Sequence, residues 1–423
     1  MPDFVPTREA GLSRLHAFVP RALRYAEERD FDRPGQPSVS RLSPWLQRRL
    51  VTEAETCEAV RTAHPWSRAE KYIQEVCWRT YWKGWLEHRP EVWRRYGDAV
   101  RRLRESPPPG YVEAIEGRTG LPGFDDWAHE LVRTGWLHNH ARMWFASIWI
   151  FTLRLPWELG AEFFWRHLLD GDAAANTLSW RWVAGLHTPG KTYLARADTI
   201  ARFTDGRFNP VGKLALEAVP LVEPPLGAPV EPWYPPATRN PPVGPVGLWL
   251  HPEDLCVESA NLGEVTPVGV LALWSESLAV KQAWADPVVS FTQAALADGA
   301  SRAAVAWSAD LRVVRADDPG PAVVDWARSL GLRTVIALRP AVGPWLDAGL
   351  AVEAELDRAG IALRWYRRDW DTLLYPAAKR GFFPFWDVAA RLHLPVDHGA
   401  TGAAARPAAG RLSGQEAGVV EKK

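Results

Sequence analysis

The sequence predicts an α + α/β architecture over 423 residues: an all-helical region, then a smaller Rossmann-like parallel α/β domain. Three observations predict it. Long amphipathic segments fill the first half, at Arg8–Arg29, Arg68–Arg89 and Gly123–Arg154, with apolar residues at helical spacing. Residues 216–245 then carry ten prolines and read as a semi-rigid linker with weak helix potential. Beyond it, short β-branched or apolar runs stand at Val246–Leu250, Val268–Leu273, Ala303–Trp307, Thr334–Leu338 and Ile361–Tyr366. Helical stretches at Val288–Ala297, Ala322–Leu330 and Trp345–Ala359 separate several of them, and such alternation argues a parallel sheet. The expected division is therefore 1–215 helical, 216–245 linker, 246–395 α/β, and 396–423 a disordered tail rich in Gly, Ala and charge.

Composition narrows the function classes. Formal net charge is zero, but residues 1–215 carry 31 basic against 26 acidic groups, a net +5, and residues 216–423 carry 19 against 24, a net −5. A mildly basic first half permits contact with phosphates without demanding it. Three cysteines (Cys57, Cys77, Cys256) argue against a disulfide framework and cannot supply the four thiolates of an iron–sulfur cluster. Met1–Pro20 lacks the continuous apolar core of a signal peptide. The most apolar run, Trp144–Leu153, is too short for a bilayer span of ~20 residues. A cytoplasmic protein without membrane contact is expected. Twenty-four tryptophans exceed what core packing asks for and suggest aromatic platforms or electron relays.

Taken in order, Thr7 can cap the first helix, with Glu9 in its first turn. Tyr25 is followed by the segment Val39-Ser40-Arg41-Leu42-Ser43 ahead of Pro44 and an apolar helix. Hydroxyl residues there place free backbone N–H groups at a helix N-terminus, which suits an anion or, more plainly, an ordinary cap. Glu75, Trp78, Arg79 and Trp82 share a helix face, preceded by Tyr72. An acid and an indole on one wall suit a flat hydrogen-bonding ring, though an amphipathic helix with a charged rim has the same pattern. The stretch Gly135–Trp182 then embeds Asn139, His140, Arg142, Asp170, Asp172 and Asn176 in an apolar, Trp-rich run. Ionised groups are rarely buried without partners, so one Arg facing both Asp side chains is the expected solution. Asp172, Asn176 and Trp180 stand at i, i+4 and i+8 and would share a helix face.

These residues carry a resemblance. Trp136-Leu-His138-Asn139-His-Ala-Arg142-Met143 and Asp170-Gly171-Asp172-Ala-Ala-Ala-Asn176-Thr-Leu-Ser-Trp180-Arg-Trp182 resemble the FAD-binding core of the cryptochrome/photolyase family. Residues 39–43 resemble the family's T-S-x-L-S segment, with Val39 in place of the first Thr, and residues 72–80 resemble its W-x-x-E-x-x-W-R-E run, with Tyr72 and Thr80 as departures. The resemblance covers Arg8–Pro210 well. The last domain resembles the family's antenna domain only weakly, which would mean swapped domain order.

The resemblance implies noncovalent FAD, held by Tyr25, Val39, Ser40, Arg41, Leu42, Ser43, Tyr72, Asn139, Arg142, Asp170, Gly171, Asp172 and Asn176. It leaves the antenna chromophore unknown and implies no metal. Asn176 would face the reactive ring nitrogen of the flavin, while Trp180 and Trp157 match the inner two members of the family's electron relay. The distal member has no match, because the stretch near Glu105–Tyr111 lacks Trp. Glu75, Trp78, Asn139, His140, Met143 and Trp182 match the pocket for a flipped-out pyrimidine dimer, with His140 replacing a common Arg. The implied function is that of a deoxyribodipyrimidine photolyase-like lyase, a monomer acting on damaged DNA, with Arg41, Arg181 and Lys191 around the pocket mouth. A cryptochrome-like photoreceptor using FAD photoreduction without repair is the alternative, and a flavoprotein with unrelated redox work a third.

Overall fold

The computed structural model describes residues 4–35, 39–236 and 242–392. The expected tail, residues 396–423, lies outside the described residues.

The chain opens with α1 (Arg8–Phe18), capped by the Thr7 hydroxyl, which accepts from the Ala10 amide at 3.2 Å. A single helix to Arg29 does not form. Pro20 lacks an N–H and ends the α-helical ladder, so the chain passes through a 3₁₀ segment (Val19–Arg24) into a short α2 (Tyr25–Glu28). Next come α3 (Ser43–Gln47), α4 (Glu53–Ala63) and the long α5 (Trp66–Glu87). Thr52 and Glu55 form a reciprocal capping box on α4. Helix α5 buries Ile73, Val76, Cys77, Tyr81 and Leu86, and packs against α4 and later helices from across the chain. The helical region continues with α6 (Glu91–Glu105), α7 (Tyr111–Ile115), α8 (Phe124–Thr134) and α9 (Asn139–Ser147). The expected helix Gly123–Arg154 is split at Gly135, whose φ of +69° is the left-handed conformation that ends α8. Helices α10 (Trp157–His167), α11 (Ala173–Val183) and α12 (Ala197–Phe203) complete it.

From β1 (Val246–Leu250) the chain alternates: β2 (Gly269–Ser275), α13 (Glu276–Gln282), α14 (Asp286–Trp307), β3 (Asp310–Ala316), α15 (Pro319–Ser329), β4 (Thr334–Leu338), α16 (Pro344–Arg358) and β5 (Ala362–Tyr366). The strands form one parallel sheet in the order β3-β2-β1-β4-β5, with Gly247 opposite Gly269 and Val246 opposite Thr334. The central strands β1, β2 and β4 are buried along their whole length, as a sheet covered on both faces requires. Gly247 lets the indole of Trp326 lie on the sheet, since a Cβ there would come within 2.3 Å of its ring.

One strand expectation is wrong. Ala303–Trp307 is the last turn and a half of α14, and the strand is Asp310–Ala316 instead. A short Ala/Val run cannot be told from a buried helix end by periodicity. The true strand at the sheet edge is largely exposed and polar, with Asp310, Arg312 and Arg315, so it lacks the apolar signature.

The chain does not end on the sheet. Helices α17 (Asp369–Leu374) and α18 (Phe382–Arg391) return to pack on α5. Phe382, Phe385, Trp386 and Ala389 join Ile73, Cys77 and Tyr81 in one buried cluster.

Candidate functional site

A cavity of about 530 Å³ opens among α2, α5, α9, α10, α11, α18 and the segment before α3. Its wall brings together residues far apart in sequence. Tyr25, Val39, Ser40, Arg41, Leu42, Ser43, Tyr72, Asn139, Arg142, Asp170, Asn176 and Trp180 line it, as do Glu75, Trp78, Met143 and Trp182. Gly171, Asp172, His140 and Trp157 are not among the lining residues.

The charged centre is the Arg142–Asp170 pair. Arg142 Nη2 donates to Asp170 Oδ2 at 2.9 Å, and its Nε donates to Leu137 O at 3.0 Å. Burial alone would raise the Asp170 carboxyl, but Arg142 and, further off, Arg79 hold it below the usual carboxylate value. Ser43 also favours the charged form, yet Asp170 Oδ1 is buried without a hydrogen bond of ordinary geometry. A buried carboxylate oxygen in that condition keeps unused acceptor capacity within the wall. Asn176 spends Nδ2 on Ala161 O at 2.7 Å, and its amide oxygen takes no hydrogen bond among the described residues.

Asp172 does not join this centre. It caps α11, accepting from the Ala175 amide at 2.7 Å, and turns to Lys83 at 3.3 Å and Arg79 at 3.8 Å. Its carboxyl is buried, yet Lys83 first and then Arg79 keep it below the ordinary value. The i, i+4, i+8 face therefore starts one turn later than expected, with Asn176 and Trp180 on the wall and Asp172 at the helix end. A single arginine does not serve both acids, because α5 supplies a lysine no local pattern revealed.

His140 also turns away. Its ring stacks on Trp144 (centroids 4.3 Å, planes 16°), Nδ1 donates to Asp30 O at 3.0 Å and Nε2 accepts from the Tyr193 hydroxyl at 3.3 Å. Burial pushes its pKa below the usual histidine value, so the neutral ring suits these partners. Trp180 is 2% exposed and wedged against Phe164 and Trp149, with ring centroids 5.2 and 6.1 Å away. Trp157 packs in the core behind, stacked on Tyr96 at 5.7 Å and crossed by the Arg181 guanidinium at 5.9 Å. Arg181 is buried in an ion pair with Glu223, so it is not at a solvated mouth.

The segment at 39–43 lines the cavity, but α3 is only five residues long and begins at Ser43 with no side-chain cap. It therefore offers no helix N-terminus of consequence to an anion. What it offers is side chains: Arg41, lying over the rings of Trp136 (4.6 Å) and Phe4 (4.9 Å), and the Ser40 and Ser43 hydroxyls.

On the opposite side, Glu75 is ion-paired with Arg29 and with Lys71 Nζ at 2.9 Å. Trp78 is covered on one face by Phe382 at 3.6 Å, planes 5° apart. Phe382 and Phe383 were invisible as site residues in the sequence, since nothing local ties residues 382–383 to residue 78. Arg29, Lys71 and Phe164 were missed for the same reason.

The model described as the FAD-binding domain of DNA photolyase matches residues 72–233. Residues 72–233 are thus similar to the FAD-binding domain of DNA photolyases. Among relatives, a deoxyribodipyrimidine photo-lyase of Thermus thermophilus is 37% identical over 192 residues, covering 44% of this chain and 45% of its own length. That of Synechococcus is 32% identical over 192 residues, covering 42% and 39%, and that of Escherichia coli is 28% identical over 198 residues, covering 45% and 42%. The chain thus spans less than half the length of these relatives. A crystal structure of a class III photolyase from Agrobacterium tumefaciens superposes with a TM-score of 0.40 and 28% identity, covering 47% of this chain and 42% of that one. The photolyase-type region ends before the sheet, and all the strands lie outside it. No helix among the described residues is long and apolar enough to cross a membrane.

A cofactor of FAD's size and polarity fits what the cavity offers. Its volume lies within the usual range for cofactor sites, roughly 300–1,000 Å³, and it mixes an apolar aromatic wall with polar side chains such as Ser43, Arg142, Asp170 and Asn176.

Proposed function

We propose that this chain binds FAD noncovalently in the cavity and repairs cyclobutane pyrimidine dimers in DNA under blue light, as a photolyase-like lyase. The observation that carries the reading is the meeting, in one cavity, of Arg142, Asp170, Asn176 and Trp180 with Glu75, Met143 and Trp182. The first four suit a flavin, and the last three suit a flipped-out dimer.

Bound there, FAD would supply the light-driven one-electron chemistry that opens the dimer. The residues of the chain have simpler tasks. Arg142, fixed by Asp170 and Leu137 O, keeps a positive charge beside the ring site without being free to move. Asn176 presents an amide oxygen that accepts a hydrogen bond but gives no proton at once. Ser40, Arg41 and Ser43 would hold the pyrophosphate, with Tyr25 and Tyr72 behind them. Trp180, on the wall, and Trp157, in the core behind it, are the oxidisable rings of an electron relay toward the cavity in this reading. Glu75 accepts hydrogen bonds from a base edge, and Met143 and Trp182 close the dry space around it. A damaged dimer is poorly stacked and costs less to extrude than a paired base.

A photoreceptor without repair is the second reading, and one observation favours it: Phe382 already covers a face of Trp78, the indole the first reading would give to the lesion. The boundaries 1–215, 216–245 and 246–395, with the α/β part as an antenna-type domain in swapped order, complete the proposal.

The test is an absorption spectrum of the purified full chain, then blue-light photoreduction and addition of a dimer-containing oligonucleotide. Bound flavin that restores the dimer, with restoration lost in Trp182→Ala, supports repair. Photoreduction that leaves the dimer intact supports the photoreceptor. A chain that takes up no flavin refutes both.

A further inference from the structure

Helix α18 lies at the far end of the chain from the FAD-binding motifs, yet it supplies two rings to the cavity wall. They are placed in opposite ways. Phe382 is 5% exposed and lies flat on Trp78, locked by an edge contact with Tyr81 and by Phe385 and Trp386. A flat ring arriving from solvent cannot use that face of Trp78. Displacing Phe382 would unpack the buried aromatic face of α18, so this cover is a fixed wall.

Phe383, the next residue, is 72% exposed while still lining the cavity. Among the described residues it is the more exposed of the two aromatic rings left open to solvent, Tyr234 being the other. Its mount is rigid: Phe385, Trp386 and Ala389 are buried, and the Tyr81 hydroxyl donates to Arg380 O at 2.9 Å just before the helix. Arg380 itself is exposed and makes no side-chain ion pair among the described residues, whereas its neighbour Lys379 is paired with Glu231. An open ring on the cavity wall, three positions after an exposed guanidinium without an ion pair, offers what single-stranded nucleic acid engages, a π-face for a base and a cation for the backbone.

We propose that Phe383 is the ring on which a base of the bound DNA strand stacks at the cavity mouth, with Arg380 meeting a phosphate of the same strand. It takes over a task that the covered face of Trp78 cannot perform. The proposal rests on the repair reading above.

The test uses the full chain and a fluorescein-labelled single-stranded oligonucleotide with one thymine dimer, read by anisotropy. Losing one base–aromatic stack corresponds to a fold-change of about 5 to 150, so Phe383→Ala is expected to weaken binding within that range. Phe383→Leu, which keeps bulk without a π-face, should behave like Phe383→Ala, and Phe383→Tyr should bind as the wild type. Arg380→Gln should lower the salt dependence of binding by about one unit of slope. Flavin absorbance should be unchanged in all four. Wild-type binding with unchanged affinity in Phe383→Ala and Phe383→Leu overturns this proposal and leaves the repair reading standing. Absence of any oligonucleotide binding by the wild type overturns both.

Discussion

Gly160 is the fourth residue of α10, where helix propensity alone favours alanine by about 0.5–1 kcal/mol. The packing says otherwise. A Cβ at 160 would lie 2.3 Å from Cη2 and 2.5 Å from Cζ3 of Trp180, and 2.9 Å from Cε2 of Trp149. Carbon contacts become comfortable at about 3.5 Å, so the Trp180 ring must retreat by roughly 1 Å. Phe164 and Phe145 stand against it, and the ring is 2% exposed, so the space left to it is the cavity. Overpacking of this kind costs about 1–3 kcal/mol, which leaves a net loss for Gly160→Ala of up to about 2.5 kcal/mol after the propensity gain. Gly97, in the middle of α6, is the control: its Cβ would meet only Arg101 Nη1 at 3.9 Å. Gly97→Ala should therefore gain about 0.5–1 kcal/mol. Thermal unfolding and bound-flavin absorbance of the two variants, measured together, should move in opposite directions for stability, with flavin lost only in Gly160→Ala. A Gly160→Ala protein as stable as the wild type and fully loaded would refute the claim that Trp180 is sterically fixed at the cavity wall.

Two further predictions concern buried charge. Asp254 accepts from Arg368 at 2.6 and 2.7 Å and from Arg49 at 3.2 Å, and these arginines outweigh burial to hold its pKa at about 2. Asp254→Ala leaves two buried guanidinium groups short of a partner and should cost about 3–5 kcal/mol in urea unfolding; a loss under about 1 kcal/mol would make the network a spectator. Since its folded pKa lies below the usual 3.8, the stability it confers in the wild type is present above about pH 4 and fades as pH falls toward 2. Burial also pushes His138 and His167 down to about 4 and His187 to about 3. Between pH 6.5 and 4 the unfolded chain takes protons that the folded chain refuses, so Tm should drop steadily on acidification and His187→Gln should flatten the slope. A Tm constant from pH 7 to 5 contradicts this.

The parts legible in the sequence were those fixed by local spacing. Asn176 and Trp180 share a wall because i and i+4 do so on any helix, and Arg142 meets Asp170 because a buried carboxylate must find a cation. What escaped was set by distant chain. Asp172 had two neighbours to choose from, and the lysine it chose lies 89 positions earlier on α5. His140, in a polar motif, turned inward because Asp30 O, Trp144 and Tyr193 satisfy it there. The edge strand β3 was hidden by its own exposure, and the covering of Trp78 by Phe382 joins residues 304 positions apart.

The α/β region bears on the antenna question through its topology. In an open parallel sheet ordered β3-β2-β1-β4-β5, the connections leave in opposite directions between β1 and β4, and the crevice at the carboxyl ends there is where such sheets receive ligands. In this chain that crevice is filled from the helical side. Arg49, just past α3, reaches Asp254 after β1 and Asp371 on α17, while Arg368 after β5 holds Asp254 from the other side. Arg367 pairs with Glu87 at the end of α5, and the space left among Lys83, Glu253, Arg339 and Tyr375 is about 10 Å³, room for one water. A nucleotide-sized pigment does not fit there without breaking at least two buried ion pairs, each costly to leave half-made. The switch point thus acts as the joint between sheet and helices, and Asp254→Ala is the variant that would loosen and open it at once.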